Sequence, residues 1–270
     1  MPRFAYTLFM FLALAVFLMA RHFVPKPPAL QQLPWTTRLS LALAAFIGGT
    51  FGAKLPFIFG GAGPFSLESW FSDGKTITMG LVGAYIAFEL TKLVMGVHVK
   101  TGDTFALPLA LAMAVGRWGC FFNGCCYGVP TDLPWGVAFS VDGRVVRCHP
   151  TQIYESLFHL GMAGLLLLIM RLDVLRGQRL KIYLIVYGLF RFLTEFIRPE
   201  RTEALGLTFY QWVGLAMAAG LAVQWWIDAR QQRAVGMFNP GTHSVGRLAR
   251  AVRSGSDNSG EPSQGAVTQS

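Results

Sequence analysis

Seven long stretches of mostly apolar residues leave few folds open to this chain. They cover residues 5–20, 39–60, 77–97, 104–121, 150–170, 180–197 and 207–227. A helix of about 20 mostly apolar residues is long enough to cross the hydrocarbon core of a bilayer. Because lipid offers no hydrogen-bond partners, such a stretch must satisfy its backbone internally and is expected to be helical. The sequence therefore predicts an all-α, polytopic membrane protein with about seven transmembrane helices.

The composition is typical of a membrane protein. Hydrophobic residues make up 53% of the chain and charged residues only 14%, whereas soluble domains carry about 25% charged residues. The formal net charge is +9, but the basic residues are scattered through short loops and a tail. They form no basic patch beside aromatic residues, so we expect no nucleic acid among the partners.

The loops and tail define the orientation and the domain boundary. With the N-terminus outside and the C-terminus inside, the two central inner loops carry Lys100, Arg171, Arg176, Arg179 and Lys181, as the positive-inside rule requires. We interpret the first stretch as an uncleaved helix. Residues 1–230 are expected to form the membrane domain. Residues 231–270 are expected to form a basic, disordered cytoplasmic tail, because a segment rich in serine and glycine buries too little apolar surface to fold.

Basic residues inside the predicted spans need partners. A charge at the bilayer centre costs roughly 2.5–3.5 kcal/mol on insertion scales. Lys92 lies three residues after Glu89 on one helical face, which favours a structural ion pair. Arg117 lies near the outer end of the fourth span, and a loop rich in glycine and cysteine follows it. Such a loop predicts irregular backbone, which is tolerated at membrane depth only where it lines protein or a cavity.

Two further polar segments face the same outer side. Residues 149–155 open the fifth span with His149, Gln152, Tyr154 and Glu155. The sixth span carries four polar side chains, Tyr187, Arg191, Glu195 and Arg198. Their spacings of four, four and three residues place them on one helical face. Arg191 and Glu195 are spaced to pair along the helix. Together with Arg117, this stripe predicts a cationic pocket that opens outward, and the planar guanidinium fork suits a phosphate group. A phospholipid headgroup is the expected ligand.

The four cysteines raise the question of a metal or a disulfide. Cys125 and Cys126 are adjacent, and the sequence has no C-x-x-C pair, so we predict no metal site and no other cofactor. An oxidising outer compartment would permit a disulfide, for instance between Cys148 and either Cys125 or Cys126.

Three ordered blocks resemble the bacterial prolipoprotein diacylglyceryl transferases. They are a signature from Gly116 to Gly128 that contains Arg117, Asn123 and Gly124, the segment 149–155, and the stripe 187–198. The resemblance covers roughly residues 75–215. It implies transfer of a diacylglyceryl group from phosphatidylglycerol to the lipobox cysteine of a prolipoprotein, which leaves glycerol phosphate. It also implies a multi-pass protein of the bacterial inner membrane whose partners are phosphatidylglycerol, prolipoprotein signal peptides and membrane lipid.

The resemblance assigns roles to individual positions. Arg117 and Arg191, helped by Tyr187, would hold the phosphate leaving group. The residues expected to bind substrate or orient the arginines are Asn123, Gly124, Gln152, Tyr154, Glu155, Glu195 and Arg198. The attacking thiol must also lose its proton, because the thiolate is the nucleophile.

The chain departs from the family pattern at several positions. Cys120 stands where asparagine is usual, Cys125 and Cys126 replace an acidic residue and its neighbour, and Val129 replaces a common arginine. Thr78 occupies the place of a histidine thought to act in catalysis, and threonine cannot take up a proton at neutral pH. His149 is therefore the predicted replacement base, as the one histidine near the outer mouth.

Two alternatives to the transferase remain open at this point. A phospholipid-binding protein of the same fold, without catalysis, is favoured by the loss of histidine at Thr78. A membrane thiol oxidoreductase would use Cys125 and Cys126, although neighbouring cysteines form strained disulfides.

Overall fold

The computed structural model describes residues 2–60, 76–97, 99–200 and 202–238. In these residues seven long helices follow the seven apolar stretches, so the predicted all-α, polytopic fold class is confirmed. The helices are α1 (Pro2–Phe23), α2 (Trp35–Gly60), α3 (Ile77–Val94), α4 (Asp103–Phe122), α5 (Thr151–Arg171), α6 (Arg179–Thr194) and α7 (Phe209–Phe238). Short helical turns lie at Pro28–Gln31, Glu195–Ile197 and Ala204–Gly206.

Five of the described helices, α1 to α5, are long and apolar enough to cross a membrane. The helix α6 has 16 residues and carries the polar stripe, so it does not meet that standard by itself. The total of seven spans and the N-out orientation therefore stay predictions. The helix α7 continues to Phe238, and the domain boundary expected at residue 230 stays a prediction. Residues 239–270, most of the predicted tail, lie outside the described residues.

Glycines let α2 and α3 pack with their backbones almost in contact. Gly48 and Gly52 of α2 form a small-xxx-small pair of the kind that brings membrane helices together. A Cβ atom added to Gly48 would lie 2.5 Å from the Gly83 carbonyl oxygen of α3, and one added to Gly83 would overlap the Gly48 carbonyl oxygen. No larger side chain fits on either face, so these glycines determine the helix spacing. We call Gly48, Gly52 and Gly83 the glycine seam.

The central helices α4, α5 and α6 share an apolar core, and at one end of it the first turns of α4 and α6 also bury the polar side chains of Thr104, Arg179 and Lys181. Ala106 and Ala110 of α4 pack in the apolar core with Leu166 of α5 and Tyr183 of α6. Towards the opposite end, the buried face of α5 changes from apolar to polar side chains: Thr151, Gln152, Glu155, Ser156 and His159. Their spacing follows the helical period, so they form one continuous stripe. The first turns of α5 therefore present a polar face to the interior of the bundle.

A β-hairpin that the sequence analysis did not predict precedes α5. Strand β1 (Val137–Val141) pairs antiparallel with β2 (Arg144–Cys148). The connecting Asp142 and Gly143 have φ values of 50° and 77°, as a type I′ turn requires, and Asp-Gly is a preferred sequence for it. Arg147 also holds the preceding turn, because its guanidinium donates hydrogen bonds to the carbonyl oxygens of Pro134 and Gly136, each at 3.1 Å.

Candidate functional site

A buried carboxylate joins the two arginines that the sequence analysis singled out. The Glu155 carboxylate of α5 pairs with the Arg117 guanidinium of α4. It also lies 3.6 Å from Nη1 of Arg191 on α6. The other terminal nitrogen of Arg191 lies 2.8 Å from Oε2 of Glu195, which confirms the predicted i, i+4 pair. These four residues are at most 5% exposed. The structure therefore joins α4, α5 and α6 through one chain of alternating charges.

A hydrogen bond beside this chain fixes the register of α4 and α5. The Ser156 hydroxyl donates to the Ala114 carbonyl oxygen at 2.9 Å. Ser156 directly follows Glu155, and Ala114 lies one turn before Arg117. The contact therefore keeps the carboxylate opposite the arginine.

Positive charge remains in excess at the site. Arg117, Arg191 and Arg198 bring three cations, against the two buried carboxylates of Glu155 and Glu195, whereas the carboxylate of Glu200, which also acts on Glu195, is exposed. Arg198 lies beyond the end of α6, where burial, together with the charges of Arg191 and Arg117, lowers the pKa of its guanidinium. Cations that lower one another's pKa would each be stabilised by an added anion. An anion bound beside these arginines would therefore be stabilised by their charge.

Tyr187 is fully buried on the same face of α6 as Arg191, one turn earlier. Its hydroxyl lies close to the Thr78 hydroxyl of α3, and Thr78 is itself 2% exposed. Thr78 and Tyr187 therefore belong to one buried polar group. Threonine supplies a hydroxyl there but no group that takes up a proton.

The end of α4 turns sharply into the loop that covers the site. Gly124 has a φ of 67°, and its N–H donates to the Phe121 carbonyl oxygen at 3.0 Å, while the N–H of Cys125 donates to the Cys120 carbonyl oxygen at 3.1 Å. This is a Schellman motif, and glycine suits its left-handed position. Asn123 is the C-terminal cap of the helix. Asn123 and Gly124 therefore shape the loop.

Three side chains from other elements hold this loop against the site. Gln152 donates to the Cys125 carbonyl oxygen at 2.6 Å, and Thr151 donates to that of Cys126 at 2.5 Å. Arg198 donates to the same Cys126 oxygen at 3.2 Å. Cys126 has a φ of 64°, a conformation costly for a residue other than glycine, and these hydrogen bonds stabilise it.

His149 and Tyr154 form a second group. His149 Nδ1 lies 3.2 Å from the Tyr154 hydroxyl, which also accepts a hydrogen bond from the Trp135 indole N–H at 2.9 Å. The His149 backbone holds the loop as well, since its carbonyl oxygen accepts from the N–H of Gly128 at 2.8 Å. Among the described residues, no ion pair joins this group to the arginines. His149 is partly exposed, whereas the charged chain is buried, so His149 lies nearer the protein surface.

The sequence analysis missed a second histidine. His159 is 0% exposed and lies one turn after Glu155 on the buried face of α5. Its Nδ1 lies 2.9 Å from the Tyr183 hydroxyl, and its ring centroid lies 5.1 Å from that of Tyr187. The spacing of four from Glu155 was a usable signal, since residues four apart share a helical face.

The structure separates the cysteines into two places. All four are free thiols, so the disulfide suggested for Cys148 is not formed. Cys148 ends β2, and its sulfur faces the Val146 carbonyl oxygen at 3.8 Å. The sulfurs of Cys120, Cys125 and Cys126 lie together, all within 4.8 Å of one another.

Comparisons with known proteins agree with the motifs. The sequence profile of the prolipoprotein diacylglyceryl transferases matches residues 4–227. The phosphatidylglycerol–prolipoprotein diacylglyceryl transferase 2 of Streptomyces coelicolor is 31% identical over 199 residues, which are 71% of this chain and 60% of the relative. The corresponding transferase of Clostridioides difficile is 39% identical over 128 residues, or 47% of this chain and 50% of the relative. The transferase of Bordetella avium is 34% identical over 178 residues, which are 62% of this chain and 66% of the relative. The chain thus spans about half to two thirds of the length of these relatives.

Proposed function

The chain belongs to the prolipoprotein diacylglyceryl transferase family, and we propose that it transfers a diacylglyceryl group from phosphatidylglycerol to the lipobox cysteine of a prolipoprotein. The cysteine thiolate attacks the glyceryl carbon that carries the phosphate. A carbon–sulfur bond forms as the carbon–oxygen bond breaks, and glycerol phosphate leaves with the electron pair. The product is a thioether-linked lipoprotein precursor.

The observation that carries this proposal is the buried charged chain with its excess of positive charge. The leaving phosphate gains negative charge as the bond breaks, and cations already fixed in place stabilise that charge without reorganisation. Glu155 and Glu195 hold Arg117 and Arg191 in position. The phosphate supplies the anion that the three arginines lack. Tyr187, next to Arg191 along the helix face, is positioned to donate a hydrogen bond to the headgroup.

The proposed base for the attacking thiol is His149. It is only half-buried and lies at the rim, where a thiol that arrives from outside the bundle would meet it first. His159 is fully enclosed and bonded to Tyr183, so we assign it a positioning role beneath Glu155 and Tyr187. Gln152 and Arg198 hold the loop at Cys125 and Cys126, which would cover the headgroup. Tyr154 contacts His149 and would orient its ring.

The protein is a multi-pass membrane protein, and we place it in the bacterial inner membrane with the charged site facing outward. Its substrates would be phosphatidylglycerol from the surrounding bilayer and prolipoproteins anchored by their signal peptides. Reporters at two positions test the orientation. A cytoplasmic reporter should be active after Ile227 and silent in the loop 122–148. The reverse pattern would turn the site inward and contradict the proposal.

One observation favours a second function, phospholipid binding without transfer. Thr78, rather than a histidine, lies beside Tyr187 in the interior, and the buried His159 is bonded to Tyr183, so the headgroup could bind without an interior base that reaches the thiol. Complementation of a transferase-depleted bacterium separates the two functions. Growth, with mature lipoproteins that carry the diacylglyceryl group, supports transfer. Failure to grow with the protein present at normal levels in the membrane would favour the binding protein.

A further inference from the structure

We propose that Cys120, Cys125 and Cys126 form a three-thiolate site for a soft metal ion of the Cu(I) type. The sequence analysis predicted no metal, because adjacent cysteines without a C-x-x-C pair do not match the usual zinc spacings. The structure brings these three sulfurs together in another way. The proposed site lies at the loop end of α4 and goes beyond the transferase function.

The Schellman motif explains why two of the sulfurs meet. In this motif the third residue from the end of the helix contacts the second residue after the cap. Here these two positions are Cys120 and Cys125, and the Cys125 sulfur lies 3.6 Å from the Cys120 carbonyl oxygen. The left-handed backbone at Cys126 then turns its sulfur back to within 3.7 Å of that of Cys125.

The separations suit one shared metal ion. With metal–sulfur bonds near 2.3 Å, three ligands arranged trigonally around one ion have sulfurs about 4 Å apart. All three sulfurs lie within 4.8 Å of one another, so closure around an ion needs movements of under about 1 Å. A disulfide would need a sulfur–sulfur bond of about 2.04 Å, and adjacent cysteines form one only with strain.

Ligand type and charge favour Cu(I) over harder ions. Thiolates select soft ions such as Cu(I), whereas structural zinc takes four ligands. Three thiols that bind Cu(I) release three protons and leave a unit with a charge of about −2. The Arg198 guanidinium donates a hydrogen bond to the Cys126 carbonyl oxygen at 3.2 Å, so one cation already lies beside the loop where this charge would develop. No oxidation occurs, because the ion and the sulfurs keep their oxidation states.

Metal binding by the purified, reduced full-length chain tests the site, and Cys148 provides the matched control. Cu(I) titrated against a competing chelator should bind one ion per chain, with sulfur-only coordination in X-ray absorption spectra. Outer-shell partners alone contribute about 10–100-fold to metal affinity, so Cys126→Ser should weaken binding by at least about 100-fold. Cys148→Ser should bind as the wild type does. Cys125→Ser provides a second variant if Cys126→Ser does not fold, as judged by its melting temperature.

Three outcomes would overturn the proposal. The wild type could bind no Cu(I), Cys126→Ser could bind as well as the wild type, or binding could follow Cys148 instead. A loss of two titratable thiols without reductant, with no copper bound, would identify a disulfide in place of a metal site. Because each readout is metal binding, failure of the transferase proposal would leave this test unaffected.

Discussion

The Arg117 guanidinium on α4 pairs with the Glu155 carboxylate on α5, and both side chains are buried. The same carboxylate faces Arg191 on α6. One residue therefore neutralises charge on two other helices at membrane depth. This explains how the bundle holds two arginines in its interior.

Removing this carboxylate should unfold the site. Glu155→Gln leaves two buried arginines without their shared partner, and breaking a buried pair from one side costs roughly 3–5 kcal/mol. We expect a clear drop in melting temperature in detergent. Glu89→Gln, which removes the carboxylate from a partly exposed pair with Lys92, is the matched control and should shift it little. Equal shifts would mean that Glu155 is no more important to the fold than a peripheral pair.

Charge alone should not replace the guanidinium of Arg191. Arg191→Lys keeps the positive charge but loses the fork that faces Glu155 and Glu195 at the same time. Loss of one preorganised donor costs about 10²–10³-fold in rate, and we expect transfer to fall by at least about 10²-fold. Arg144→Lys, on the exposed hairpin turn, is the control and should transfer normally. Near-normal transfer by Arg191→Lys would mean that Arg191 serves only as an ion-pair partner of Glu195.

The base can be assigned by comparing the two histidines. His149→Ala should lower transfer by roughly 10²–10⁴-fold, the usual contribution of a general base. His159→Gln keeps an acceptor for Tyr183 and should retain most activity. Thr78→His, which places beside Tyr187 the histidine that the sequence resemblance leads us to expect there, should raise the rate. A loss confined to His159→Gln would transfer the role of base to the buried histidine.

The glycine seam should tolerate no added methyl group. Gly83→Ala places a Cβ against the Gly48 backbone, and overpacking of this kind costs about 1–3 kcal/mol. Gly161→Ala is the matched control within α5, because a Cβ there would meet nothing within 4 Å. Thermal unfolding in detergent should separate the two variants. If Gly83→Ala melts like the wild type, α2 and α3 can move apart without penalty.

Periodicity and apolar length predicted the helices and the pairs within them, because both depend on residues close in sequence. The pairs Glu89–Lys92 and Arg191–Glu195 are examples. The partner of Arg117 could not be predicted from spacing, since Glu155 lies on another helix and only packing decides which charges meet. The hairpin was missed although Asp142-Gly143 is a strong turn signal. The cysteine cluster depends on a left-handed backbone at Cys126, which residue type does not indicate.

Direct observation of transfer tests the central claim. The purified full-length chain is mixed with phosphatidylglycerol in micelles and a peptide that carries a lipobox cysteine. The peptide mass and the free glycerol phosphate are then measured. We predict that the peptide gains one diacylglyceryl group per glycerol phosphate released, and that Arg117→Ala loses both products together. Binding of phosphatidylglycerol by a folded wild-type chain, with no gain in peptide mass and no glycerol phosphate, would contradict the account.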